Sequence, residues 1–263
     1  MQETDPILIE KELDGYRSIA QKIRNRLHQL DNANDKDKRR WVWELLQNAI
    51  DAGNNKPVDI TIEINADYLS FQHNGGYFLP RSVTNLVHQI SSKEGSESVG
   101  RFGTGFLTTH TLSRRVEVES FFENNGAFYP FKLEMDRTGR TEDALVLGIE
   151  RTWDLYKNAP QSKELSIPNP STIFKYLEPN FDVAQQTLND AIGFMPYCFA
   201  FVPLLNTFTV RNINNTNISF KRSGEFKLGE NLSILSFEKT EGEVKTTIQL
   251  FCIIVLYFYC KRH

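Results

Sequence analysis

The sequence predicts an α+β fold, a two-layer α/β sandwich in which helices cover one face of a mixed, mostly antiparallel sheet. Two features of its order indicate this class: helix-period segments lead the chain, and strand-like segments then follow with few helices between them. Composition is the third observation. With 263 residues, of which 40% are hydrophobic and 24% charged, the chain is typical of a globular protein and unlike disordered, collagenous or coiled-coil classes.

The helices are predicted from apolar residues spaced three or four positions apart. The second of them stops at Gly53, since glycine commonly follows the last turn of a helix. A polar, glycine-rich loop covers Ser91–Gly105. The predicted helices are 3–30, Lys38–Ala52, Pro80–Ile90, Phe106–Leu112 and Phe181–Ile192.

The strands are predicted from alternating or continuous runs of apolar residues. Asn74-Gly75-Gly76 after the second strand is a turn signal. The predicted strands are Val58–Ile64, Tyr68–Phe71, Arg115–Phe122, Phe128–Met135, Ala144–Glu150, Thr172–Leu177, Phe208–Asn212, Ile218–Arg222, Leu232–Phe237 and Val244–Leu256.

Charge and cysteine content narrow the function classes. The net charge of −3 argues against binding nucleic acid by bulk charge. Three cysteines cannot form a disulfide framework, and the polar first thirty residues contain no secretory signal, so a reducing, cytoplasmic location is expected. The apolar ending Leu250–Cys260 is too short to span a membrane; we expect it to be a buried strand whose neighbours lie beyond His263.

The predicted helix Lys38–Ala52 has a compact polar stripe. Glu44, Asn48 and Asp51 are four and three positions apart and therefore share one face. A solvated face is the simpler explanation, but Asn is a poor helix former and the stripe contains no Lys. Oxygen ligands on one face suit Mg²⁺, and a Glu beside them could activate water.

Two glycine-containing segments follow this helix. Phe71-Gln-His73-Asn74-Gly75-Gly76 follows a strand; its glycines would let the backbone approach a flat ligand, but the segment by itself favours an ordinary Asn-Gly hairpin turn. Gly100-Arg-Phe-Gly103-Thr-Gly105 ends the polar loop and opens a helix, where backbone N–H groups can bind an anion. It matches neither the P-loop nor the dinucleotide-binding pattern.

In this order, Glu44-x-x-x-Asn48-x-x-Asp51-Ala52, His73-Asn74-Gly75 and Gly100-x-x-Gly103-x-Gly105 resemble the GHKL ATPase superfamily, over roughly residues 35–225. Its members include type II topoisomerases, the ninety-kilodalton heat-shock chaperones and histidine kinases. The His-Asn-Gly segment and Ser91-Ser92-Lys93 are most similar to its sacsin-like and chaperone-like branch.

The resemblance implies the Bergerat fold, with ATP and Mg²⁺ bound between helices and sheet under a mobile lid. Glu44 would be the catalytic base that activates water, Asn48 the Mg²⁺ ligand, and Asp51 a support for the base of the pocket. Lys93 would lie in the lid, and Thr172 on a later strand would help to hold the adenine. The implied ATP-binding residues are Asn48, Asp51, Ala52, His73, Asn74, Gly75, Gly76, Phe78, Lys93, Gly100, Arg101, Phe102, Gly103, Thr104, Gly105, Phe106 and Thr172.

The chain departs from the family at two positions. His73 stands where the family usually has an Asp that accepts a hydrogen bond from the adenine amino group, and Tyr77 where it usually has a second glycine. A neutral His can accept one hydrogen bond if its tautomer suits. A turn residue that packs on the sheet is the alternative for His73, so purine selectivity is less well defined than phosphate binding.

The domain and partner predictions follow from the resemblance. We expect an N-terminal helical segment at 1–34, which would mediate a homodimer, an ATP-binding domain at 35–180, and the incomplete start of a transducer-like α/β region at 181–263. The implied function is a slow, Mg²⁺-dependent ATPase that acts as a conformational switch in a longer protein. A protein partner or C-terminal effector is expected, in bacterial defence or DNA processing. The alternatives are a nucleotide-binding module without turnover, a pure interaction module or a chaperone-like ATPase.

Overall fold

The computed structural model describes residues 5–88, 105–158, 171–229 and 232–253. It confirms the predicted fold class: a large, mostly antiparallel sheet combined with helices. The helices are α1 (Pro6–Asp31), α2 (Asp35–Lys38), α3 (Trp41–Ala52), α4 (Pro80–His88), a short 3-10 helix (Phe106–Thr111), α5 (Glu142–Asn158) and α6 (Phe181–Phe201).

The strands agree closely with the alternating runs of the sequence. Most are longer than predicted by one to five residues at one end or both, because pairing with a neighbouring strand continues past the apolar run. They are β1 (Val58–Ile64), β2 (Tyr68–His73), β3 (Arg115–Asn124), β4 (Ala127–Asp136), β5 (Thr172–Leu177), β6 (Leu205–Ile213), β7 (Thr216–Lys227), β8 (Leu232–Glu241) and β9 (Val244–Ile253).

All nine described strands belong to one sheet, in the order β4-β3-β5-β2-β1-β6-β7-β8-β9. Among these strands, β1 and β6 form the single parallel pair. The connection between them contains α4, the 3-10 helix, α5, α6 and the four strands β2, β3, β4 and β5. The predicted boundary near residue 180 therefore falls within a continuous sheet, and the division into domains stays a prediction.

One core joins the helices to the sheet. Alternate residues of the central strands are buried: Val58, Ile60 and Ile62 of β1 are fully inaccessible. They belong to one buried cluster with side chains of α1, α3, α4, α5 and α6, so the helices cover one face of the sheet. Trp41 of α3 extends this contact to α6, because its buried Nε1 donates to Thr187 Oγ1 at 3.1 Å.

The predicted strand Ala144–Glu150 is wrong, because these residues lie within helix α5. Within this run Leu145, Val146 and Ile149 are buried, and the separations of four and three that end at Ile149 are the helical period. Gly148 lets the helix approach β4: a Cβ there would lie 2.7 Å from the carbonyl oxygen of Asp136. These residues are therefore helical because they pack on β4, and the alternation of apolar residues in the sequence does not reveal that packing.

Two predicted helices have different bounds. The helix predicted at Lys38–Ala52 is divided by Arg39 and Arg40 into α2 and α3, and Arg39 forms an ion pair of 2.8 Å with Asp190 of α6. Helix α6 continues nine residues beyond the predicted Ile192, through Pro196. Met195 and Phe199 are fully buried there, and we attribute the continuation to this packing.

The apolar tail was predicted to be a buried strand. Its described part is a strand, as predicted: it forms the end of β9, which pairs with β8 and is the last of the described strands in the sheet. Phe251 on this strand is 70% exposed, so the predicted burial of the tail is wrong at this residue. Residues 254–263 lie outside the described residues.

Candidate functional site

Helix α3 carries the polar stripe at the centre of the candidate site. Its apolar face, which includes Val42 and Leu45, is fully buried in the core. The stripe faces away from that core and has a gradient of exposure: Asn48 is buried, Glu44 is partly buried and Asp51 is exposed. Burial is thus greatest in the middle of the stripe, where an unpaired polar group is most costly.

The carboxylate of Glu44 lies against the end of the glycine-rich segment. A Cβ built on Gly105 would lie 2.3 Å from Glu44 Oε2, which is closer than any real Cβ contact. The other oxygen, Oε1, accepts a hydrogen bond of 3.3 Å from Nη2 of Arg40, one turn earlier on the chain. A side chain at position 105 would therefore displace the carboxylate of Glu44 from its present position.

Asn48 has a polar atom without a partner. Its side chain is 8% exposed, and its Nδ2 is buried with no hydrogen-bond acceptor among the described residues. Buried polar groups are nearly always hydrogen-bonded, and leaving one unpaired costs about 1–3 kcal/mol. A bound group that accepts this hydrogen bond would remove that cost.

The segment His73–Gly76 packs on the C-terminal end of α3. A Cβ on Gly75 would lie 2.4 Å from the carbonyl oxygen of Ala49, and one on Gly76 would lie 2.5 Å from that of Ala52. Gly76 also has a φ of +148°, which few other residues adopt. The segment leads from β2 towards α4, so the hairpin-turn explanation for these glycines is wrong.

Asn74 has a structural role that the sequence did not reveal. Its Oδ1 accepts from the backbone N–H of Asp59 at 2.7 Å, and its Nδ2 donates to Asp59 Oδ2 at 3.0 Å. The other oxygen of Asp59 accepts hydrogen bonds from Asn206 and Thr207 of β6. Asp59 thus anchors the turn to the parallel strand pair.

His73 is buried and neutral. Desolvation lowers its pKa to about 4, and its Nδ1 accepts a hydrogen bond of 3.1 Å from the backbone N–H of Gly75. An Nδ1 that accepts cannot carry the proton, so this hydrogen bond assigns the proton to Nε2. His73 therefore presents a donor at Nε2.

Thr172 lies directly opposite His73 in the pairing of β2 with β5. The hydroxyl of Thr172 is fully buried, within 2.7 Å of Ser120 Oγ, and donates a long hydrogen bond of 3.4 Å to the carbonyl oxygen of Gly76. Register alone brings these two residues together, since they are 99 positions apart in the chain. Ser120 was not singled out from the sequence.

Two of the three phenylalanines predicted for the site lie in the core. Phe106 is 1% exposed and lies 5.4 Å from the ring of Phe174. Phe78 packs edge-on against Phe131 and is joined through its backbone to β3. The remaining predicted residues, Lys93, Gly100, Arg101, Phe102, Gly103 and Thr104, lie outside the described residues.

Within the described ranges, no three His, Cys, Asp or Glu side chains cluster closely enough to hold a metal ion. None of the helices described is both long enough and apolar enough to cross a lipid bilayer.

Comparisons with known proteins find likeness in structure alone. No protein-family model matches the sequence, and no curated protein matches it. The B subunit of DNA gyrase from Myxococcus xanthus is similar over 77% of this chain and 61% of its own, with a TM-score of 0.43 and 10% identity. The ATPase region of Saccharomyces cerevisiae topoisomerase II is similar over 72% of this chain and 59% of its own, with a TM-score of 0.39 and 14% identity. The chain thus spans about three fifths of the length of both structures, and neither likeness establishes a shared function.

Proposed function

We propose that the chain is a GHKL-type domain that binds ATP with Mg²⁺ and hydrolyses it slowly. One observation carries the proposal: segments far apart in the sequence converge on helix α3, which carries the polar stripe. Gly105 lies against Glu44, the His73–Gly76 turn packs on the end of the same helix, and Thr172 pairs with that turn. The contact of the turn with α3 requires glycine at positions 75 and 76, because the atoms that a Cβ would meet there are backbone oxygens.

The residues present fit a triphosphate with its metal ion. Asn48 offers an amide whose oxygen suits Mg²⁺ and whose buried nitrogen lacks an acceptor. Gly105 opens the 3-10 helix beside Glu44, where a side chain would fill the space. Mg²⁺, when bound, would offset the negative charge that develops on the phosphates.

Glu44 would act as the general base. Its carboxylate is partly buried, with 20% of the side chain exposed, and Arg40 is its one hydrogen-bond partner among the residues that the structure describes. Because Arg40 is 60% exposed, this ion pair is weak and leaves the second oxygen free to orient a water molecule. Such a role requires only that the attacking water lie within hydrogen-bond distance of Oε2.

His73 and Thr172 would face the base of the nucleotide. The Nε2–H of His73 is a donor, whereas the family's usual Asp is an acceptor. A donor suits an acceptor on a purine, such as N1 of adenine or O6 of guanine, and not the adenine amino group. We therefore infer that base selectivity here differs from that of relatives with Asp.

The finer parts of the proposal rest on the resemblance. They are lid closure as a conformational switch, dimerisation through α1, a place at the N-terminus of a longer protein, and a role in bacterial defence or DNA processing. The second half of α1 packs within its own chain through Ala20, Ile23 and Leu27, so a dimer contact would use its first turns. A nucleotide-binding module without turnover is the alternative, and the departures at His73 and Tyr77 favour it.

The test is nucleotide binding with and without Mg²⁺, followed by phosphate release, in the parent and three variants. We expect Glu44→Ala to abolish release and to keep binding, since Asn48 and the glycines remain. We expect Asn48→Ala to lose Mg²⁺-dependent binding. Glu243→Ala, which removes an exposed carboxylate from the turn between β8 and β9, is the matched control and should behave as the parent.

Three outcomes are decisive. Absence of nucleotide binding by the parent would refute the proposal entirely. Binding without phosphate release by the parent would favour the module without turnover. Hydrolysis by Glu44→Ala at the parent rate would show that Glu44 is not the base.

A further inference from the structure

A cavity of about 480 Å³, which we call the arginine cavity, is lined by residues outside α3, and four of these residues are arginines. Residues from the second half of α1, from Arg114 at the start of β3, and from the connection between β4 and α5 surround it. It shares no residue with α3, with the His73–Gly76 turn or with β5. Its lining residues are Arg24, Leu27, His28, Asp31, Arg114, Arg137, Thr138, Gly139 and Arg140.

The charge in this cavity is unbalanced. Four of the lining residues are arginines, and Asp31 is the sole carboxylate among them. Asp31 pairs with Nη2 of Arg114. In the part of the chain that the structure describes, neither Arg24 nor Arg140 forms an ion pair or a hydrogen bond through its side chain. The lining therefore carries an excess of about three positive charges at neutral pH.

Because Arg137 is buried, the excess of positive charge in the cavity destabilises the fold. Its side chain is 1% exposed, and Nη2 donates to the carbonyl oxygen of Val87 at 2.7 Å. Its Nε and Nη1 are buried and have no acceptor within the described ranges, and the same holds for Nη1 of Arg114. Burial lowers the pKa of Arg137 to about 10, so the group is still charged at neutral pH. An unpaired buried charge is strongly destabilising, and a bound anion is the ordinary way to compensate it.

We propose that this cavity binds an anion that carries two or more phosphate groups. Guanidinium groups bind phosphate oxygens in pairs of parallel hydrogen bonds, and several converging arginines favour a multiply charged ligand over a single carboxylate. The volume accommodates a chain of two or three phosphates. The phosphates could belong to a small molecule or to a nucleic-acid strand, and the chemistry of recognition is the same.

The test uses inorganic pyrophosphate as the probe, with binding measured by calorimetry and by thermal stabilisation of the full chain. We expect Arg24→Gln and Arg140→Gln each to weaken binding about tenfold, since each removes a charge-assisted hydrogen bond. Arg211→Gln is the matched control: Arg211 is exposed on β6, pairs with Glu63, and should leave binding unchanged.

Arg137→Met tests the buried group directly. It keeps the volume of the side chain and removes the charge, so we expect a folded protein that is at least as stable as the parent and that no longer binds pyrophosphate. If this variant fails to fold, the two exposed arginine variants decide the question alone.

Further arms separate this site from the nucleotide site and identify the source of the phosphates. In Asn48→Ala, pyrophosphate binding that still depends on Arg24 supports the proposal whether or not ATP binds. Displacement of pyrophosphate by a short oligonucleotide identifies a nucleic-acid backbone as the ligand, whereas failure to displace it identifies a small molecule. Absence of pyrophosphate binding, or binding that ignores all three arginine variants, overturns the proposal.

Discussion

His73 illustrates how much chemistry one buried side chain decides. The ring is enclosed by the sheet, so its pKa falls to about 4 and it stays neutral at physiological pH. The backbone N–H of Gly75 then selects the tautomer, because it occupies Nδ1. The donor at Nε2 follows from these two facts together, and neither is visible in the sequence letter.

This donor predicts weak selection of adenine over guanine. In the parent we expect dissociation constants for ATP and GTP within about tenfold of each other, because both bases offer an acceptor. His73→Asp replaces the donor with an acceptor and should move the preference towards ATP by about tenfold, roughly one hydrogen bond. Competition binding with the two nucleotides measures it.

Gln72→Asp is the control, since Gln72 is the exposed neighbour of His73 on the same strand. A shift of equal size in that variant would mean that added charge, and not the hydrogen bond, causes the change in preference.

At the scale of secondary-structure elements, helix α3 and the turn after β2 are in close backbone contact. The backbones of the two elements approach so closely that the missing Cβ atoms of Gly75 and Gly76 define the distance between them. Asn74 and Asp59 hold the other side of the turn on β1 and β6. The turn is therefore fixed between a helix and the parallel strand pair, a rigid place for a binding segment.

Gly75→Ala should disrupt this contact. The new Cβ would lie 2.4 Å from the backbone oxygen of Ala49, so helix and turn must separate, and we expect the free energy of unfolding to fall by roughly 2 kcal/mol. Nucleotide affinity should fall as well, if the turn binds the base. Urea denaturation and a binding titration measure the two effects.

Gly15→Ala is the matched control. Gly15 lies within α1, and nothing is within 4 Å of its Cβ position, so the same substitution should raise stability by about 0.5–1 kcal/mol. Equal effects of the two substitutions would contradict the close contact at Gly75.

At the scale of the whole molecule, the sheet has open edges. β4 and β9 end the strand order within the described residues, and β9 carries Phe251, which is 70% exposed, and Val244, which is 66% exposed. An edge strand with exposed apolar side chains is a template for pairing with another chain. Neither the arginine cavity nor the candidate nucleotide site includes residues of β9.

Phe251→Lys should reduce self-association, because a lysine on an edge strand opposes strand pairing between chains. Sedimentation velocity over a range of concentrations measures the change. Leu147→Lys is the control: Leu147 is 64% exposed but lies on helix α5. If the two variants associate alike, the edge of β9 is not the contact.

The sequence alone determined the order of helices and strands and the stripe Glu44-Asn48-Asp51. Both depend on local periodicity, which the chain carries in the identity of its residues. The prediction from sequence failed at Ala144–Glu150, because a short apolar run fits both the strand period and the helix period. The packing of α5 on β4 selects the helix. The prediction also failed to extend α6 through Pro196, because buried contacts override local propensity.

The residues that surround the polar stripe of α3 are set by the tertiary structure. The pairing of β2 with β5 sets Thr172 against His73, and the packing of the 3-10 helix on α3 sets Gly105 against the side chain of Glu44. The arginine cavity likewise joins α1 to segments about ninety residues or more away in the chain. These relations depend on register and burial across distant segments, which no local pattern encodes, so the sequence predicted the candidate residues and the fold decided which of them meet.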